Sequence, residues 1–347
     1  MTPRKRLDDT LNAWAEADPL KDAVAATILC LAEAAAKMSR LLAAGPLAGD
    51  LGHVLFSGEA GEEQKALDVQ AEAIFTAGLR TAARIAAIAS EEAPDAIPLN
   101  PDAPLLVALD PLDGSSNIET GLTVGSIFSI LPRAAATTLE QQFLRPGTTQ
   151  LAAGYLLYGP HTSLVLSVGQ GTDLYVLDQE SGTFRLAQAG LQIPRGKAEF
   201  AINMSNYRHW DENVRAYIDD CLSGEDGLHK TDFNMRWLAC MVAEAHRIFN
   251  RGGIYLYPAD ARKGYGSGRL RLLYEANPIA MLVHQAGGLA TDGAMPILEK
   301  IPLKLHQRTP LIFGAREKVE HLAAYVSGPG GAGERAPLFR RRTLFCA

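Results

Sequence analysis

The residues able to do chemistry gather in a few short stretches, and the first is Asp110-Pro111-Leu112-Asp113-Gly114-Ser115-Ser116-Asn117. Two carboxylates three residues apart, with a glycine after the second, can converge from one tight turn. Hard cations such as Mg²⁺ take oxygen ligands and are held by a few carboxylates together with a substrate phosphate. Gly114-Ser115-Ser116 adds backbone N–H groups and two hydroxyls, donors suited to a bound phosphate. An isolated D-P-x-D serves equally well as a strand-ending turn with an Asx hydrogen bond. The pair Glu91-Glu92 argues for the metal: it also closes an apolar run, so two strand ends deliver four carboxylates. Glu62, Glu63 and Asp68 open a helical stretch, where acids also suit the helix dipole. Glu275 lies among Leu272, Leu273, Tyr274 and Ala276, an apolar setting in which an acid implies a partner.

Cations gather elsewhere. Arg262 to Arg271 carries four of them and no acid, spaced by glycines that make it a loop. Such a loop on an acidic chain suits a phosphate, although a solvated basic loop has the same composition. Arg271, flanked by Leu270, Leu272 and Leu273, is the stronger anion contact, and Arg236 before Trp237 is a second candidate.

Two Ala/Leu-rich stretches, 21–42 and 65–83, have apolar residues at helical spacing. A glycine-rich connection, 45–61, joins them. The apolar runs 85–89 and 105–109 read as buried strands ending at Ser90-Glu91-Glu92 and at Asp110, so the carboxylates sit where α/β folds place ligand sites. Short β-rich runs at 124–131, 153–158, 163–168, 174–177 and 183–186 suggest an antiparallel meander. Beyond Pro194-Arg195-Gly196 the pattern turns to α/β, with strands at 200–202 and 254–256 and helices at 235–249 and 272–285. The expected organisation is an N-terminal domain over 1–193, a C-terminal α/β domain over 194–326, and a flexible tail over 327–347.

The 347 residues are enough for a large core and two sub-domains. A net charge of −6 excludes a surface built for nucleic acid or anionic membrane. No apolar run reaches the roughly 18 residues a spanning helix needs. Four cysteines, Cys30, Cys221, Cys240 and Cys346, stand far apart without a CxxC, which reads as reduced thiols in a cytoplasmic protein.

Taken in order, these stretches resemble class 1 fructose-1,6-bisphosphatase. The matching words run from about residue 61 to 314 and include Ser90-Glu91-Glu92, the Asp110–Ile118 loop, Gly121–Phe128, Gln150–Tyr155, Gly252-Gly253-Ile254-Tyr255-Leu256-Tyr257-Pro258, Leu270-Arg271-Leu272-Leu273-Tyr274-Glu275 and Ala286-Gly287-Gly288. The D-P-L-D-G-S core is shared with inositol monophosphatase-like enzymes, whereas the G-G-I-Y-L-Y-P and L-R-L-L-Y-E blocks are far more specific.

The resemblance implies a layered α/β (α+β) sugar-phosphatase fold, αβαβα, commonly assembled as a homotetramer. It implies Mg²⁺, with Mn²⁺ or Zn²⁺ as substitutes, ligated by Glu91, Glu92, Asp110, the carbonyl of Leu112, Asp113 and Glu275. Glu62 falls where the family places an acid that activates the attacking water, with Asp68 nearby. Gly114, Ser115, Ser116, Asn203, Tyr207, Tyr257, Arg269 and Arg271 fall at substrate-contacting positions, as Asp113 does, and Arg236 where an arginine crosses a subunit interface to the distal phosphate. The implied reaction is hydrolysis of the 1-phosphate of D-fructose 1,6-bisphosphate, in gluconeogenesis or the Calvin cycle. The alternatives are sedoheptulose-1,7-bisphosphatase activity, an inositol-monophosphatase-like enzyme, or a phosphosugar-binding regulator.

The chain also departs from the family's pattern. Arg269 stands for a usual lysine and Trp237 for a common tyrosine. Pro104-Leu105 replaces a lysine-tyrosine pair that contacts AMP in AMP-inhibited members, and no Thr-Gly-Glu lies near Asp22–Thr27, so AMP control is not expected. The stretch 133–147 lacks the cysteines of the chloroplast redox switch.

Overall fold

The structure, a computed structural model, describes residues 4–57, 63–136 and 138–327. Glu62, Cys346 and the tail expected beyond residue 327 lie outside the described residues. Helices α1 (Leu7–Ala15), α2 (Pro19–Ala44) and α3 (Ala66–Arg80) form the first layer. Asp18 starts α2 by accepting from the N–H groups of Leu20 (2.8 Å) and Lys21 (3.2 Å), and Pro19 supplies a preset first-turn φ. Leu67, Ala71, Phe75 and Leu79, each four residues apart, are the buried stripe of α3. Strands β1 (Val54–Ser57) and β2 (Glu63–Lys65) make a short antiparallel hairpin ahead of α3.

The main sheet has eight strands: β3 (Ile85–Ser90), β4 (Ile97–Pro98), β5 (Leu105–Asp113), β6 (Val124–Pro132), β7 (Ala152–Tyr158), β8 (Thr162–Ser167), β9 (Asp173–Asp178) and β10 (Thr183–Gln188). From β5 to β10 it is the antiparallel meander expected, each strand pairing with the next. Only β3 and β5 run parallel, which brings the chain ends of both strands, and hence Glu91 and Asp110, to one edge. Because side chains alternate across a strand, Val107, Leu109, Phe128 and Ile130 face the α1–α3 layer, while Ile127, Tyr155 and Val165 face the opposite one.

A second sheet holds β11 (Glu199–Ala201), β12 (Asn234–Arg236), β13 (Ile254–Tyr257), β15 (Leu289–Thr291) and β17 (Leu311–Gly314), while β14 (Leu270–Arg271) pairs with β16 (Arg308–Thr309). Helices α5 (Met241–Arg251) and α6 (Asn277–Gln285) fill the space between the sheets; α4 (Glu212–Leu222) and α7 (Arg316–Ser327) cover the outer face of the second. The layers therefore run α-β-α-β-α. No helix of the described residues is long and apolar enough to cross a membrane.

Two local expectations change. The helix expected over Met235–Phe249 forms only from Met241; Asn234–Arg236 pairs in parallel with β11, and Ala239 bends the chain at φ 56°. Apolar spacing alone could not separate these, because pairing with a distant strand decided the first half. The second change lies in β5, which does not stop at Asp110 but runs on to Asp113 through a register shift. Asp110 lies opposite Ile127 and Asp113 opposite Gly125, so Pro111 and Leu112 share the single partner Ser126, a bulge that re-aims the carboxylates. Ser126 Oγ donates to the Pro111 carbonyl at 2.7 Å and holds it there.

Candidate active site

A cavity of about 880 Å³ opens where the ends of β3 and β5 meet β14 and the start of α5. Its acidic end is built by three elements. Glu91 follows β3, and its N–H donates to the Leu109 carbonyl at 2.9 Å. Asp110 comes from β5 and accepts from the Leu112 N–H at 3.0 Å. Glu275 projects from a π-helical turn, Leu272–Ala276, of the kind that recurs at functional sites, and it accepts from the Arg271 N–H at 2.5 Å. These three acids each offer an oxygen within 4.8 Å of the others, and Asp110 and Glu275 are only 4% and 6% exposed.

Crowding and burial show in the protonation equilibria. Burial pushes Glu91 up to about 7, with Arg271 opposing the rise from 3.3 Å. Burial, followed by neighbouring carboxylates with Glu91 foremost, holds Asp110 and Glu275 well above the usual carboxylate range. Asp68 rises to about 7, again mainly through burial, although its Oδ2 accepts from the Lys65 N–H at 2.7 Å. Ionised together, these oxygens need more positive charge than Arg271 provides. An all-oxygen donor set of this sort fits a hard divalent cation.

Asp113 lies beside the trio rather than in it. Its Oδ2 accepts from the Val242 N–H at 2.7 Å and from the Cys240 thiol at 3.0 Å, and burial raises its pKa. Glu92, Asp68 and Leu112 line the same cavity. Gly114 then turns with φ 84° into a short 3₁₀ turn, Ser115–Asn117, which sets Ser115 and Ser116 on the wall.

Asn203, Trp237, Tyr257 and Arg269 line the rest of the cavity, while Arg271 stands against the acids, 3.3 Å from Glu91. The Arg269 guanidinium lies over the Tyr265 ring at 4.6 Å and its N–H donates to that hydroxyl. Arg262 covers the ring at 4.0 Å but its charge pairs with Asp260. Asn203 spends its Oδ1 on Ser205, whose N–H is 3.2 Å and Oγ 2.6 Å away.

Two expected contacts are not brought in. Tyr207 donates its hydroxyl to Asp219 at 2.7 Å and does not line the cavity. Arg236 is exposed on β12 and donates to the Met235 carbonyl, pointing to no part of the cavity of its own chain. Conversely, Lys65, Cys240, Tyr255 and His306 line the cavity although their sequence context assigns them no role there. Lys65 had a signal, since it is the residue before the Asp68 helix; Cys240 had none.

A layered sandwich with a carboxylate-ringed cavity facing a loop of cations is the architecture of a sugar phosphatase. Comparison with known proteins narrows this class. Residues 10–189 match the family model "Fructose-1-6-bisphosphatase, N-terminal domain" and residues 193–327 its "C-terminal domain". The chain is 54% identical over 337 residues to a class 1 fructose-1,6-bisphosphatase of Xanthobacter autotrophicus, covering 96% of this chain and 90% of that one. It is 53% identical to one of Azorhizobium caulinodans, covering 91% and 97%. Leishmania major fructose-1,6-bisphosphatase in its holo form superposes with a TM-score of 0.85 at 32% identity, over 93% of this chain and 99% of that one. The chain belongs to the class 1 fructose-1,6-bisphosphatase family.

Proposed function

We infer that the protein is a phosphoric monoester hydrolase that converts D-fructose 1,6-bisphosphate to D-fructose 6-phosphate and phosphate. The observation that carries this is the convergence of Glu91, Asp110 and Glu275 within 4.8 Å, in a cavity that Arg269 and Arg271 also enter, in a chain so similar to class 1 fructose-1,6-bisphosphatases. Glu91, Glu92, Asp110, Glu275, Asp113 and the Leu112 carbonyl would hold Mg²⁺, or Mn²⁺ or Zn²⁺ in its place. Bound there, the cation supplies charge neutralisation at the phosphate and lowers the pKa of an attacking water.

The chain's own residues do the rest. Asp68, poised near pH 7 at the cavity wall, can take up the proton of the attacking water together with Glu62. Asp113 and the N–H and hydroxyl groups of Gly114, Ser115 and Ser116 steady the reacting phosphate. Arg269, Asn203 and Tyr257 grip the far phosphate and the sugar and fix their orientation, while Arg271 contacts the substrate from beside Glu91. Tyr207 would join them only by leaving Asp219. Arg236, exposed on an edge strand, is available to a neighbouring subunit of a homotetramer, the assembly we propose. Cytoplasmic residence and a division into residues 1–193 and 194–326 belong to the same proposal. It draws support from the unpaired state of Cys30, Cys221 and Cys240 and from the two sheets.

Phosphate release from fructose 1,6-bisphosphate and sedoheptulose 1,7-bisphosphate, each with and without Mg²⁺, is the test. Fast, Mg²⁺-dependent release from the fructose substrate is expected. Release from the sedoheptulose substrate alone would reassign the enzyme, and release from neither would leave only a binding protein.

A further inference from the structure

Helix α5 begins without a cap of its own. Cys240 occupies its N-cap position in extended geometry, φ −139° and ψ 120°, and its sulfur offers the helix no more than a weak acceptor near the Ala243 N–H. The cap comes from the metal loop instead. Asp113 Oδ2 accepts from the Val242 N–H at 2.7 Å, so a charged carboxylate sits at the positive end of α5. The Cys240 thiol, 2% exposed, points at the same oxygen from 3.0 Å. A thiol is a weak donor, but a carboxylate acceptor strengthens the bond.

The packing around this bond is close. A Cβ on Gly114 would stand 2.8 Å from Cys240 Cβ and 2.9 Å from its sulfur, so the glycine lets the thiol lie directly on the metal loop. Asp113 is the last residue of β5, paired opposite Gly125 after the bulge and followed by a left-handed residue; the pairing sets its backbone, while its carboxylate is set by what it touches. What orients it is the pair of donors on Oδ2.

We propose that Cys240 is a positioning residue for metal binding: its thiol, with the first turn of α5, holds Asp113 in one rotamer with Oδ2 committed to the helix and Oδ1 left for the cation. This rests on the reading of Asp113 as a metal ligand, and partners of metal ligands are commonly worth ten- to a hundredfold in metal affinity.

The test compares wild type, Cys240→Ala and Cys240→Ser by Mn²⁺ binding to the sugar-free protein, read by electron paramagnetic resonance, and by the Mg²⁺ dependence of phosphate release. Alanine removes the donor, and roughly tenfold weaker Mn²⁺ binding is expected with an equal rise in half-saturating Mg²⁺. KM for the bisphosphate, measured at saturating Mg²⁺, should change by a smaller factor than the half-saturating Mg²⁺. Serine keeps a donor and should restore wild-type binding. Equal Mn²⁺ binding by wild type and alanine overturns the proposal, as does equal loss in alanine and serine, which would make the thiol a space-filler against Gly114. If the wild type binds no Mn²⁺ at all, the metal reading falls and takes this inference with it. The S–H stretch of Cys240, assigned by its loss from the infrared spectrum of Cys240→Ser, shifts on Mn²⁺ binding to the wild type if thiol and carboxylate are coupled, and stays fixed if they are not.

Discussion

At one end of the cavity, Asp110 and Glu275 are almost fully buried and accept backbone N–H bonds from Leu112 and Arg271. At the other, Arg269 is carried by a loop and, among the described residues, braced by the Tyr265 ring and hydroxyl. The acidic end is part of the sheet edge, so its geometry is as rigid as the core beneath it. The cationic end sits on a loop tied to the rest by the Ala261 N–H on the His209 carbonyl and by the pairing of Leu270 with Thr309. Under the proposed function the rigid side carries the chemistry and the adjustable one the recognition, and substitutions should separate them.

The largest effect is expected at the rigid end. Asp110→Ala should lower kcat by about three orders of magnitude, the worth of several kcal/mol at 1.36 kcal/mol per decade, with little rescue by added Mg²⁺. A loss confined to KM would break the comparison. At the adjustable end, Arg269→Ala should raise KM about tenfold or more, as expected for a charged hydrogen bond of about 1.5–3 kcal/mol, while kcat falls far less.

A third expectation concerns pH. Glu91 and Asp68 titrate near 7 in the fold, against ordinary values of 4.5 and 3.8, so the folded metal-free protein binds more protons than the unfolded chain between those limits. Its stability should therefore fall as pH rises from about 4.5 through 7. Mg²⁺ competes with those protons, so its half-saturating concentration should climb as pH drops below 7 and its thermal stabilisation should be greatest above 7. Melting curves and rates from pH 5 to 8, with and without Mg²⁺, would check both; a flat profile would mean the acids are not coupled to the cation. The smallest effect belongs to Arg262→Ala. Its charge is spent on Asp260, an arrangement worth about 0–1 kcal/mol, so KM should move less than about fivefold.

How legible all this was varies along the chain. The meander from β5 to β10 can be read because Gly, Pro and Asp turns separate short β-branched runs. Helix α4 was equally readable, with Val214, Tyr217, Ile218 and Cys221 at helical spacing, yet it escapes notice in a polar stretch. The segment 235–240 could not be read, because its apolar residues fit a helix, whereas pairing with β11 makes a strand of Asn234–Arg236 and the chain to Met241 stays extended or bent.

What the sequence determined by itself is the chemical inventory: Glu91, Asp110, Asp113 and Glu275, the serine loop, the arginine loop, and the family they define. Those follow from residue type and local order. What only the tertiary structure decided is which of these meet. The parallel pairing of β3 with β5 brings Glu91 to Asp110, and the turn after β14 adds Glu275. The packing of α5 on the Asp110–Asn117 loop brings Cys240 to Asp113, while Arg236 and Tyr207 stay outside the cavity. Contacts between residues more than a hundred positions apart depend on sheet register and layer packing, and no local pattern encodes either.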